Sequence, residues 1–177
     1  MPSIQQGRVR LRSLTRQDLN KSRCWVNDPD LACLVDRVRP VSEPEHEAWL
    51  ERALKDPSQV IFGIETGPSK VYIGNCGLRE IDPRSRKANL WIYIGEPRYR
   101  GRGLGDAAVR ALLHFGFESL NLRRISLYVV ASNQAAQRLY QRVGFKTEGR
   151  FRQEVYLNGA YVDTVHMGLL RSEFNGG

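Results

Sequence analysis

Two spacings of apolar residues organise this chain. Leu104, Ala107, Ala108, Ala111, Leu112 and Phe115 recur at i, i+3, i+4, i+7, i+8 and i+11, one face of an amphipathic helix. Ala136, Leu139, Tyr140 and Val143 form a second helical stripe, and Trp49, Leu50, Ala53 and Leu54 a third. Between them, β-branched and aromatic runs at residues 7–12, 59–65, 70–78, 89–95 and 124–130 read as strands. Thr15 to Asp18 resembles a capping box for a helix reaching about Val26, broken by Asn27-Asp28-Pro29. Ser42 to Glu45 is a stronger box, with Pro44 in the first turn. Ser132 or Asn133 can cap the helix that Gly144 ends. Turns are expected at Gly67-Pro68 and at residues 82–86, and a type I′ hairpin at Asn158-Gly159. Strands alternate with helices without a uniform βαβ rhythm. The expected fold is therefore α/β of the α+β kind: a mixed sheet with helices on both faces. With no repeat, linker or low-complexity segment, residues 1–177 read as a single domain.

Composition narrows the class. The 177 residues are 41% hydrophobic and 26% charged, ordinary for a soluble protein large enough to bury a core. No apolar run approaches a membrane span, and residues 1–5 lack signal-peptide character, so a cytoplasmic protein without a membrane partner is expected. Cys24, Cys33 and Cys76 form no C-x-x-C and meet no H-x-x-x-H, which argues against a metal site; they read as small core residues in a reducing compartment. The net charge of +8 raises nucleic acid as a partner. The basic residues bunch only locally, at 84–87 and 98–102, and nucleic-acid binding is not expected as the main role.

The second bunch belongs to the most informative stretch, Arg100-Gly101-Arg102-Gly103-Leu104-Gly105, between an expected strand and a helix start. Glycines let backbone approach a ligand, and the free N–H groups of a first helical turn attract phosphate. Asp106 stands where a dinucleotide G-x-G-x-x-G needs its third glycine, and no G-K-[ST] follows for a P-loop. What remains is Arg-x-x-Gly-x-Gly at Arg100, Gly103 and Gly105.

That spacing resembles the acetyl-CoA pyrophosphate signature of the GNAT superfamily of N-acetyltransferases. The block from Ala131 to Phe145, with Asn133, Tyr140 and a terminal Gly144-Phe145, looks like the family's second CoA motif. The resemblance spans residues 7 to 172. It is strongest to the branch of ribosomal-protein N-terminal and spermidine N-acetyltransferases, which the tail at 155–163 supports. It implies a GNAT fold with a mostly antiparallel sheet of six or seven strands. It also implies acetyl-CoA as co-substrate and direct transfer of acetyl to a primary amine in a ternary complex. The backbone of Arg100, Gly101, Arg102, Gly103, Leu104 and Gly105 would hold the pyrophosphate. Amides of Ile92, Tyr93 and Ile94, freed by a strand bulge, would polarise the thioester. Asn133 would bind the pantetheine arm. Tyr140 would protonate the leaving thiolate, although its helical stripe equally suits a core aromatic.

For the base that deprotonates the amine, Glu80 is the first candidate, ahead of Glu65 and Glu96. Trp25, Asp28, Trp49 and Trp91 are candidates for the acceptor pocket, with core packing the default for each tryptophan. In spermidine-type relatives acidic residues gather the polycation; here Asn89 holds one such position, beside basic Arg84-Ser85-Arg86-Lys87. This charge favours a protein N-terminus, an amino sugar or a small acidic amine over a polyamine. Two alternatives stand: a module that holds acetyl-CoA or CoA without turnover, and a polyamine acetyltransferase. Assembly as a homo-oligomer is left open.

Overall fold

A computed structural model describes residues 4–32, 39–67, 70–157 and 159–175. In chain order the elements are β1 (Ile4–Gln6), β2 (Val9–Arg12), α1 (Arg16–Val26), α2 (Pro29–Ala32), α3 (Glu43–Lys55), β3 (Val60–Thr66), β4 (Val71–Asp82), β5 (Lys87–Ile94), α4 (Leu104–His114), β6 (Arg124–Val130), α5 (Gln134–Val143), β7 (Lys146–Leu157) and β8 (Ala160–Leu170). The strands form one sheet in the order β1-β2-β3-β4-β5-β6-β8-β7, antiparallel except between β5 and β6. Eight strands exceed the expected six or seven. The extra strand is β1, which precedes the strand expected at 7–12 and pairs with it across a turn around Gly7, and the terminal hairpin extends far beyond its tip as two long strands.

Local signals act as their chemistry predicts. Thr15 and Asp18 close a capping box on α1, and Ser42 and Glu45 close one on α3. Asn133, rather than Ser132, caps α5, and Gly144 ends it in the left-handed region. The register Leu157↔Ala160 suits a two-residue turn, with Gly159 at positive φ; Asn158 lies outside the described residues, as do Pro68 and Cys33. Of the other thiols Cys76 is buried, but Cys24 is exposed on α1 and is not the core residue expected.

Each sheet face has its own core. Helices α4 and α5 cover one face, packing Leu104, Ala108, Leu112, Tyr140 and Val143 on Leu78, Leu90, Ile125 and Leu127. Helices α1 to α3 cover the β3–β5 part of the other face with Leu19, Trp25, Leu31, Leu50 and Ala53, against which Trp49, Trp91 and Tyr93 pack. The tryptophans thus take the packing role by default.

An ion cluster ties α1 to the sheet. Arg12 donates to Glu65 at 2.5 Å and to Asp18 at 2.6 and 2.8 Å, and Arg10 also donates to Glu65. Burial alone would raise both carboxyls, but these arginine bonds, with Thr15 at Asp18, outweigh it and hold both below their usual range. Glu65 is therefore a structural counter-ion, which removes it as a candidate base. Arg12→Met is expected to cost about 3 kcal/mol, because two part-buried carboxylates lose their shared partner. The wild-type cluster stabilises above the unfolded values of 3.8 and 4.5 and loses that contribution as pH falls through the lower folded values. Thermal melts between neutral pH and pH about 3 check this: the gap between wild type and variant should narrow on acidification.

Candidate active site

The sheet comes apart in its middle. β5 and β6 pair only at Lys87↔Arg124, Ala88↔Ile125 and Asn89↔Ser126. Both strands then continue, β5 to Ile94 against β4 and β6 to Val130 against β8, with no further pairing between them. Unpaired backbone groups within a sheet are a template for an added extended chain. Backbone groups alternate sides along a strand, and Gly95 N–H donates to Ile73 of β4. The N–H groups of Ile92 and Ile94 therefore face the split, while that of Tyr93 faces β4. The β4–β5 register is unbroken from Arg79↔Asn89 to Gly74↔Ile94. The irregularity falls just beyond, where Gly95 and Glu96 N–H share the Ile73 carbonyl.

The glycine-rich loop follows. Gly101 and Gly103 sit at φ +70° and +75° with open space where a Cβ would project, so backbone conformation selects glycine there. Gly103 is the N-cap of α4 and offers no side chain, leaving the first-turn N–H groups available. Arg100 donates from Nε to Ile94 O at 2.8 Å and from Nη2 to Gly95 O at 3.0 Å. Its guanidinium fastens the loop to the end of β5. Arg8 donates to Arg102 O, and Asp106, the wrong charge for a phosphate, pairs with Arg110 at 3.0 Å and Arg142 at 3.7 Å. A Cβ on Gly105 would stand 3.2 Å from Leu139, so this glycine sets the approach of α4 to α5.

On α5, Asn133 Oδ1 accepts from Ala136 N–H, a cap that uses only the carbonyl half of its amide. Tyr140 is buried edge-on against Phe145, and its hydroxyl has no hydrogen-bond partner among the described residues. Burial pushes its pKa up to about 12, so the phenol keeps its proton at any physiological pH.

Glu80 occupies an extra β4 residue at φ +54°, between the Arg79↔Asn89 and Asp82↔Lys87 pairs. Asn89 Nδ2 donates to Glu80 at 2.5 Å and Asn89 Oδ1 accepts from Ser126 at 2.8 Å, so this chain spans the point where the strands part. Glu96, the third candidate base, pairs with Lys21 at 3.4 Å and Arg98 at 3.1 Å. Arg86 is spent on Asn121, and Asp28 caps a turn at Asp30 instead of joining a pocket. Trp25 fills the space over Gly95, and Trp91 that over Gly77. Sequence reasoning missed a buried polar chain beneath them: Tyr72 donates to Asn75, which donates to Tyr93, all at 2.7 Å. An extra residue at Ile73 lets Tyr72 and Asn75, three apart, meet in this way.

An open strand edge, a glycine loop and an uncapped helix start together suit a long phosphorylated thioester, its arm in the split and its pyrophosphate at α4. The family model described as Acetyltransferase (GNAT) domain matches residues 8–146, and the chain belongs to that family. A spermidine N(1)-acetyltransferase of Escherichia coli is 31% identical over 180 residues, covering 98% of this chain and 91% of that one. A Bacillus subtilis protein with a provisional ribosomal N-acetyltransferase name is 35% identical over 118 residues, 64% of this chain and 63% of that one. The crystal structure of spermidine N-acetyltransferase from Vibrio cholerae in complex with CoA and spermine superposes with a TM-score of 0.89 at 30% identity, covering 94% of this chain and 97% of that one. The protein is thus an acetyl-CoA-dependent N-acetyltransferase acting on an amine. Among the described residues no helix is long and apolar enough to cross a membrane.

Gly103→Asp or Gly105→Asp should weaken acetyl-CoA binding by more than about tenfold, since bulk and negative charge both oppose the phosphates. Calorimetry on the folded variants checks this, and unchanged affinity would move the pyrophosphate elsewhere.

Proposed function

We propose that the split sheet transfers acetyl to a primary amine of low positive charge, such as a protein N-terminus or an amino sugar. In this reading the backbone from Arg100 to Gly105 holds the pyrophosphate. The N–H groups of Ile92 and Ile94 hold and polarise the thioester arm, and the Asn133 amide nitrogen binds the pantetheine. Tyr140 donates its proton to the departing thiolate; the observation that carries this is a buried phenol with a free hydroxyl on α5. Glu80 is the base. It lies about 10 Å along the strand from Ile92, so it takes the ammonium proton through water. We place the enzyme in the cytoplasm.

The acceptor reading rests on charge. The carboxylates around the split already have partners: Glu80 with Asn89, Glu96 with Lys21 and Arg98, and Glu65 with Arg10 and Arg12. A polycation would have to compete for them. Polyamine acetylation is the second reading, favoured by the spermidine acetyltransferases among the relatives. One of these is dodecameric, and a homo-oligomer is proposed here too.

Tyr140→Phe keeps the ring packing and should lower kcat by about ten- to a thousandfold with acetyl-CoA affinity nearly intact. Stopped-flow thiol release checks this, and an unchanged chemical step would return Tyr140 to the core. For the acceptor, kcat/KM at low salt should be higher for a peptide amine or amino sugar than for spermidine. Spermidine leading the series would decide for the polyamine reading.

A further inference from the structure

Among the described residues, the sheet face carrying Asn89, Trp91 and Tyr93 continues past the split without helical cover. Ser126 meets Asn89 on this face, so Tyr128, two residues on, projects there too, about 7 Å along β6. The register sets Tyr128 opposite His166 of β8, and Phe151 of β7 opposite Thr164. Tyr128 stacks on His166 with centroids 4.6 Å apart and planes at 13°. Phe151 closes the triangle at 6.1 and 6.2 Å. Tyr128 and Phe151 are 50% and 44% exposed.

Beneath these rings lie two unpaired polar atoms. Among the described residues, three side-chain nitrogens or oxygens that are themselves closed to solvent lack a hydrogen-bond partner: Arg23 Nε, Thr164 Oγ1 and His166 Nε2. The last two are neighbours on this one face, and Thr164 is only 4% exposed. Glu148 stands 3.9 Å from His166 Nδ1, at the other ring nitrogen, and leaves Nε2 without a partner. Leaving such groups unsatisfied costs about 1–3 kcal/mol each, so two together ask for an explanation.

We propose that Tyr128, Phe151, Thr164 and His166 form a subsite for the body of the acceptor, and that it takes the ring of an amino sugar. The proposal rests on the acetyl-transfer reading, because the subsite flanks the split where the amine must arrive. A sugar ring lays its C–H face on an aromatic plane, and its hydroxyls, which both donate and accept, bond His166 Nε2 and Thr164 Oγ1. A linear polyamine offers neither a ring face nor a hydroxyl. Binding requires Tyr128 or Phe151 to swing aside, which their exposed positions permit.

Two measurements with glucosamine and n-butylamine test this. Glucosamine should shift the His166 ring resonances saturably. Thr164→Val, which keeps the shape and removes the unpaired hydroxyl, should lower the glucosamine-to-butylamine ratio of kcat/KM about tenfold, the loss of one buried hydrogen bond, without lowering Tm. Tyr128→Ala should lower the ratio likewise. If amines release thiol but His166 does not respond and neither variant changes the ratio, the subsite is overturned. If glucosamine shifts His166, Thr164→Val abolishes that shift, and no amine releases thiol, the subsite stands and acetyl transfer fails.

Discussion

Everything at the candidate site depends on one interruption of backbone pairing, the parting of β5 from β6 after Asn89↔Ser126. A continuous sheet satisfies its own N–H and C=O groups; this one leaves a strip of each strand open. The opening is held from three directions. The Asn89 amide ties Glu80 to Ser126 at its closed end, β4 and β8 hold the outer edges of the parted strands, and Arg100 fastens the loop at the open end. A substrate arm laid in the gap restores the missing pairing. In the proposed reading, affinity for the donor is thus built into backbone geometry, and side chains such as Arg100 and Asn89 hold that backbone in place.

The charged residues follow the same logic. A net charge of +8 suggests a large positive field, yet many arginines near the site are already spent. Arg100 serves backbone carbonyls, Arg12 and Arg10 serve Glu65, Arg86 serves Asn121, and Arg110 offsets the one carboxylate at the start of α4. The proposed phosphate site therefore rests on uncapped N–H groups and two left-handed glycines rather than on arginine side chains.

Local chemistry was legible in the sequence; non-local registration was not. Capping boxes at Thr15 and Ser42, the Gly144 helix end and the bounds of β6 depend on neighbouring residues and could be read directly. The glycine loop and the Tyr140 helix were legible because their spacing is a family pattern. The bulges at Ile73, Glu80 and Gly95–Glu96 were invisible, since each results from a mismatch between two strands and carries no signature of its own. They nonetheless set the Tyr72–Asn75 contact, the aim of Glu80 and the bend into the loop. Likewise β7 showed only its end at the hairpin tip, because an exposed strand with many polar residues lacks strong alternation.

The two faces also differ in how freely they can change. The α4/α5 face is packed from residues with almost no exposure, so substitutions there disturb the loop and the helix that meet the donor. Among the described residues, the opposite face is covered by helices only over β3 to β5. Beyond the split it presents exposed rings over two unsatisfied polar atoms on β8. The exposed rings of Tyr128 and Phe151 can be exchanged at little cost in packing, since solvent borders them. In the proposed reading, a fold divided in this way keeps one acetyl donor while its acceptor varies, because donor recognition lies with backbone and acceptor recognition with side chains of the open face. On the same reading, that division lets a chain about 30% identical to polyamine acetyltransferases share their fold while its acceptor face follows a different chemistry.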